Sequence, residues 1–541
     1  AMFSVFIGWM TAGIFYSYNA EFFWILIVLF YIYGINQLKK DYSLNNLLQW
    51  ISSIRHVVLY VLLTISIVLI FTNLWINNLV PWDEAIYAKI SKNMVNSQQY
   101  LTQYWKNNTP WYEKPPLFMW FMSISMNLLG ITSLAAKLPS ALFGLGTVIV
   151  TYLLGKKLFN RFVGFIAGFS LLTTMHFLYY SRMAMTDITI LFFITSSLYV
   201  YYVSLSNKKS YLNILTGILI GLSVMTKGVV GLIPFAIIGL YQIYLLLSKQ
   251  NKLDIAIIKK YLTIFISSLV VILPWHVFMY IQFGQDFIDQ YIGYHVISRA
   301  TQAIEDKGAP WNWYFIVIRV SMRIWYVALL GAIFWLVFYF TNLIKNKNLT
   351  LKVLNKYVFI ILWAVFVMMF FSSAKSKLVW YILPIYPALS IVSAVFIFNV
   401  IVFLSKKFFY ANQLLFKFLS SFIIVVFTLM YMFFNLNLYY PPNTTGQVAR
   451  LLMLKDQELG TEDKLYVDRV ELPLVMFYTD SDFEIIDYQP EKGRFPKLNY
   501  DQTAVFITKK GRYDIQIPNM PRDIKVVGEQ QDYILFYIES Q

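Results

Sequence analysis

The sequence predicts an all-α polytopic membrane protein of about 13 transmembrane helices with a small carboxy-terminal extracytoplasmic α/β domain. Three observations carry the prediction. A chain of 541 residues that is 58% hydrophobic and 19% aromatic, with mean hydropathy +0.58, is too apolar for a soluble globular protein. Its charge is segregated: residues 440–541 hold 12 basic and 17 acidic residues, which leaves 32 basic and 11 acidic for the apolar part. The basic excess is therefore juxtamembrane, and the net charge of +16 does not point to nucleic acid. Finally, the character of the chain switches at Tyr440-Pro441-Pro442-Asn443. Beyond it LYVDRVELPLVMFY, FEIIDY, TAVFIT and YILFYIE form short β-branched and aromatic runs broken by turn residues.

Apolar runs of roughly 17 to 25 residues predict helices near 2–17, 22–37, 57–80, 138–156, 162–180, 188–206, 211–226, 229–247, 260–281, 312–341, 357–373, 379–403 and 413–437. Eighteen basic residues then cluster in alternate loops, among them Lys39, Lys156, Lys157, Lys249, Lys345 and Lys406, in the company of only Asp41 and Asp254. By the positive-inside rule that face is cytoplasmic. Loops 81–137, 181–187, 282–311 and 374–378, with the tail, are expected on the extracytoplasmic side. Counting the short apolar run 116–131 as a span would put Lys156 outside, so it is read as an interfacial helix. The organisation expected is a helical hairpin and cytoplasmic linker (1–56), a transmembrane catalytic domain (57–439) and a soluble domain (440–541). Residues 1–20 have no basic start and no cleavage pattern, so no targeting signal is expected there.

The chemistry concentrates in the outer loops. Eight of the eleven carboxylates before residue 440 fall in them, including Asp83 and Glu84 in WDEAIYAKIS, Glu113 in WYEKPP and Asp187 in SRMAMTD. Acids at the membrane surface suit a base that deprotonates a substrate, although each alone is more often a cap or a solvated group. Cations on the outer face run against the charge rule: Lys114, Arg182, Lys227, Arg299, Arg319 and Arg323 four apart on one helix face, and Lys375 with Lys377. Beside an apolar bundle they suit a lipid phosphate; the alternative is snorkelling to headgroups. No cofactor is demanded, and the metal candidate is a divalent ion on Glu113 and His295. With no cysteine, disulfides and thiol catalysis are excluded.

WDEAIYAKISKNM, WYEKPPLFMW, AAKLPSALFGLGTVIVTYLLGKKLF, SRMAMTD, LSVMTKGVVGLIP and FFSSAKSKLVWYILPIYPAL occur in that order over roughly residues 57–400. The set resembles the GT-C glycosyltransferases, the class of the aminoarabinose transferase ArnT and the protein O-mannosyltransferases. The resemblance implies an inverting transferase in the bacterial inner membrane. It would move a sugar from a polyprenyl-phosphate donor to a lipid A-type, glycan or protein acceptor at the outer face, the ArnT-like reading being preferred. It assigns Asp83 as base, Asp187 as a second essential acid, Glu113 and Lys114 as the acid and phosphate-contacting lysine of the EKP motif, and Lys227, Lys375 and Lys377 as its further lysines. Glu84 as a further catalytic acid and Arg182, Arg319 and Arg323 as donor-phosphate or lipid contacts are read from the outer-face residues themselves. Besides donor and acceptor, the partners expected are membrane lipids, with no nucleic acid, and the protein is expected to be a monomer. Two departures stand out. Lys137 replaces the usual Arg before the LPSAL run, and the hairpin at 2–37 precedes the usual first helix. The alternative is a polyprenyl-linked lipid or sugar transporter or flippase.

Overall fold

The computed structural model describes residues 57–76, 78–105, 109–207, 209–302, 308–345, 351–408, 413–441, 446–459, 464–468, 472–479, 483–486, 504–516 and 524–538. The expected spans at 2–17 and 22–37 lie outside the described residues. Seven helical runs among them are long and apolar enough to cross a membrane, or eight if a pair bent by 68°, Arg161–Leu172 and Met175–Ser181, counts as one span. One run, residues 210–247, is two legs: Gly228 has φ 59°, and a Cβ on Gly231 would lie 2.2 Å from the Val224 nitrogen. In a continuous helix those residues would be about 10 Å apart, so the chain reverses, as the separate readings of 211–226 and 229–247 require.

Two other expectations are corrected. The 312–341 span is broken into Trp313–Met322 and Ile324–Lys345, because Arg323 adopts φ 51° and ψ −117°. Arg319 and Arg323 therefore do not share a helix face. The 260–281 span is longer than expected: Ile255–Ile288 kinks at Gly284 and continues as a π-helix, Asp289–Ser298, where a loop was expected.

Local signals account for the helix boundaries. Thr132, Asn160 and Asp254 cap helix starts by accepting from Ala135, Val163 and Ile257 backbone N–H groups. Gly217 and Gly221, four apart on helix Ser210–Lys227, let its backbone touch that of Ile264 and Ser268 on the long helix. A Cβ there would sit 2.2 and 2.9 Å from their carbonyl oxygens. The 116–131 segment forms Leu117–Leu129, whose 13 residues reach only about 20 Å, short of a ~30 Å hydrocarbon core.

The tail builds a five-stranded sheet in the order β2-β1-β3-β5-β4 from β1 (Lys464–Asp468), β2 (Phe483–Ile486), β3 (Ala504–Lys509), β4 (Ile524–Gln530) and β5 (Tyr533–Ile538). The first three strands are parallel, and β5 pairs antiparallel with β3 and β4. Tyr466, Phe506 and Phe536 stack across one face at 5.0 Å centroid spacings. The LPLVMFY part of the first run is not extended but forms helix Leu472–Tyr478, with Pro473 in its first turn.

The orientation makes a prediction. Cysteines placed at Lys157 and Gln250 should label only from the cytoplasmic side, and one at Lys375 only from outside. Outside labelling at 157 would overturn the positive-inside assignment.

Candidate active site

The turn before helix Asp83–Ser97 is strained. Trp82 has φ 70° and ψ −120°, a conformation costing a bulky residue about 1–3 kcal/mol. Surrounding bonds hold it. Lys137 Nζ donates to the Asn78 carbonyl at 2.9 Å, and the Glu84 carboxylate accepts from Val80 N–H and Ala184 N–H at 2.6 Å each. Glu84 is 1% exposed. Burial raises its carboxyl above the ordinary value, while Lys137 and the two backbone donors pull the other way. Glu84, expected as a catalytic acid, is thus committed to stapling this turn to the SRMAMTD loop. Glu84→Gln leaves one donor facing an amide NH2 and should cost about 1–3 kcal/mol, read as a lower melting temperature in detergent; unchanged melting would remove the staple.

Asp83 differs from its neighbour. It is half-buried, and among the described residues its carboxylate accepts no hydrogen bond. One helical turn on, buried Tyr87 accepts a hydrogen bond from Lys114 Nζ, which also lies 4.4 Å from the Tyr87 ring centroid. Burial first, then Asp83, Asp187 and Glu113, push the Tyr87 hydroxyl well above its ordinary pKa. The phenol therefore stays protonated and keeps a hydrogen to donate. Three acids, from loops 81–137 and 181–187, are thus electrostatic neighbours of one hydroxyl.

Asp187 is in the first turn of helix Thr186–Ser206 and Lys227 in the last turn of its antiparallel neighbour Ser210–Lys227, the ends that helix dipoles favour for each charge. They form an ion pair with side chains 5% and 11% exposed. Lys227 also lies 4.9 Å from the Tyr381 ring centroid. Tyr381 is hydrogen-bonded to Arg299, with Lys114 and Asp187 as further electrostatic neighbours. Three acids, three cations and two tyrosines thus meet at one end of the bundle.

Other expected site residues lie elsewhere or are occupied. Arg182 caps helix Val57–Phe71: its Nη1 lies 3.3, 2.8 and 2.6 Å from the carbonyls of Leu69, Ile70 and Thr72, and its guanidinium sits 4.6 Å from the Tyr440 ring centroid. Lys377 is buried and donates to the Ala309 and Ala374 carbonyls at 2.9 and 2.5 Å; burial, then Lys375, lowers its pKa. Its loop is sewn to the Arg299 segment by Lys375 N–H to Ala300 O and Ser376 N–H to Arg299 O, leaving the Lys375 side chain exposed. Arg319 is exposed, and Arg323 Nη2 lies 3.7 Å from Met175 Sδ. His295 packs edge-on against Tyr294 in the π-helix. Among the described residues no three His, Asp or Glu side chains group to hold a metal ion.

Sequence reasoning missed Tyr87 and Tyr381 as site residues. Tyr87 had a signal, four residues after Asp83 on one helix face. Tyr381, inside an aromatic run, had none.

A family model described as dolichyl-phosphate-mannose-protein mannosyltransferase matches residues 113–278. An uncharacterized protein of Aquifex aeolicus is 30% identical over 335 residues, 61% of this chain, and the chain spans 62% of that relative's length. An undecaprenyl phosphate-alpha-4-amino-4-deoxy-L-arabinose arabinosyl transferase of Wigglesworthia glossinidia brevipalpis is 27% identical over 410 residues, covering 74% of this chain and 68% of the relative. The crystal structure of ArnT from Cupriavidus metallidurans bound to undecaprenyl phosphate superposes with a TM-score of 0.66 at 17% identity, over 89% of this chain and 98% of that one. The chain has the GT-C fold of the ArnT type. Within that fold, the match to the family model begins at Glu113, takes in Lys114, Asp187 and Lys227, and leaves Asp83, Arg299 and the AKSK loop outside its bounds.

Proposed function

We propose that the chain is an integral membrane inverting glycosyltransferase that moves a sugar from a polyprenyl-phosphate donor to a lipid A-type acceptor at the extracytoplasmic face of the inner membrane. One observation carries the reading. Uncommitted carboxylates, Asp83 and Glu113, converge with Lys114, Lys227 and Arg299 at one end of an apolar bundle.

A polyprenyl-phosphate sugar already has a good leaving group, so the site has two tasks. Asp83 takes the proton of the acceptor hydroxyl as its oxygen attacks the anomeric carbon. Lys114, Lys227, Arg299 and the Tyr87 hydroxyl stabilise the negative charge that develops on the departing phosphate. Asp187 holds Lys227 in place. A single displacement inverts the anomeric carbon. An apolar cleft of about 300 Å³, lined by Trp120, Trp275, Phe278, and by Leu117 and Met225 on the helices that begin just after Lys114 and end at Lys227, offers a surface that suits the polyprenyl chain. The names of the relatives favour a 4-amino-4-deoxy-arabinose donor.

The test is purified protein incubated with undecaprenyl-phosphate aminoarabinose and lipid A, the product being read by mass spectrometry. A sugar-modified lipid A is expected. Donor retention without product, across lipid A, glycan and peptide acceptors, would leave a flippase.

A further inference from the structure

We propose that the carboxy-terminal domain is a positioning element for Asp83, acting through Tyr478 on the strained turn that precedes it; the catalytic part rests on the reading of Asp83 as the base.

Helix Leu472–Tyr478 of the tail packs on helix Asp83–Ser97. Two polar contacts fix its place. Leu79 N–H donates to the Tyr478 hydroxyl oxygen at 2.8 Å, and Lys92 Nζ, 6% exposed, donates to the Phe477 carbonyl at 3.1 Å. Tyr478 is also hydrogen-bonded to the Ser133 side chain. Within the tail, Thr479 Oγ1 donates to Asp456, which ties the docking helix to helix Gly446–Glu458.

The positions of these contacts give them meaning. Three consecutive residues are each gripped by a different element: Asn78 by Lys137 from helix Ser133–Leu158, Leu79 by Tyr478 from the tail, and Val80 by Glu84 from the site helix. Pro81 follows with no N–H to offer, then Trp82 at φ 70°, then Asp83. A bulky residue stays at positive φ only where its surroundings over-determine the backbone. Of these three bonds, the Tyr478 one comes from outside the membrane part. Without it, residues 79–82 gain freedom to relax and the Asp83 carboxylate moves. A displacement of about 1 Å at a reacting group is worth up to ~100-fold in rate.

The experiment compares Tyr478→Phe with the wild-type full chain in detergent, by hydrogen exchange over residues 76–86 and by steady-state sugar transfer. Phenylalanine fills the same space and removes only the hydroxyl, with its bonds to Leu79 N–H and Ser133. Faster exchange at Leu79 and Val80, with kcat falling about 10-fold and donor KM within twofold of wild type, is expected. Exchange or kcat as in wild type would overturn the proposal, as would kcat and donor affinity falling together with the melting temperature. If Tyr478→Phe loses its monodisperse profile, Lys92→Met against Lys92→Arg gives the same decision: Arg can still reach the Phe477 carbonyl and should restore kcat, whereas equal activity in both sinks the docking role. Exchange is read independently of chemistry. Wild-type protein that transfers no sugar while Tyr478→Phe still loosens residues 79–80 would reject the transferase reading and leave the grip standing.

Discussion

Asp83→Asn is expected to lower the single-turnover rate of sugar transfer by roughly 100-fold or more, the usual scale for general-base catalysis, while leaving donor binding intact. The side chains differ by one atom type, so the turn keeps its shape and loses only a proton acceptor. The contrast with the next residue makes the prediction specific. Glu84 is buried and spent on Val80 and Ala184, whereas Asp83 accepts no hydrogen bond from the described residues and faces the cluster around Tyr87. Lys114 and Tyr87, the proposed contacts to the leaving group, are untouched. The measurement is one turnover at saturating donor, with monodispersity as the folding control. Full activity in well-folded Asp83→Asn would take the residue out of the mechanism and make Glu113, the other uncommitted acid, the next candidate.

What was legible in the sequence divides along physical lines. Hydropathy sees length and composition, so it found the long helices and separated 211–226 from 229–247 on either side of the reversal at Gly228. It could not see the break at Arg323, because RVSMRIW contains neither Gly nor Pro and the positive φ is imposed by packing. The site was legible as a list of loops, since charge in an apolar chain is costly and therefore meaningful. Its internal division of labour was not. Whether Asp83 or Glu84 is buried depends on Ala184, a hundred residues away, and nothing local says which acid receives that N–H. Arg182 read as a phosphate contact for the same reason: its charge was visible, but the helix end it caps was not. The tail's sheet followed from its β-branched runs, while its grip on Leu79 spans 399 residues and leaves no pattern in the sequence.

Lys227→Met should separate what this lysine does for the fold from what it does for the reaction. Its ammonium pairs with Asp187 in a nearly closed setting, the two side chains being 11% and 5% exposed. Removing it leaves a buried carboxylate uncompensated, which costs about 3–5 kcal/mol and should appear as a marked fall in melting temperature. The same change removes a charge-assisted contact to the donor phosphate of about 1.5–3 kcal/mol, or roughly 10- to 150-fold in kcat/KM. Both losses occur in the single variant, so the decision lies in the double variant Lys227→Met with Asp187→Asn. There the stranded charge is gone and stability should return most of the way to wild type. Transfer should stay low, because neutral side chains at 187 and 227 offer the phosphate nothing. Activity recovering along with the melting temperature would make the pair a structural bolt between helices Thr186–Ser206 and Ser210–Lys227, and would shift the phosphate to Lys114 and Arg299. Stability restored without activity would place Lys227 on the donor, with Asp187 as the group that keeps it aimed there.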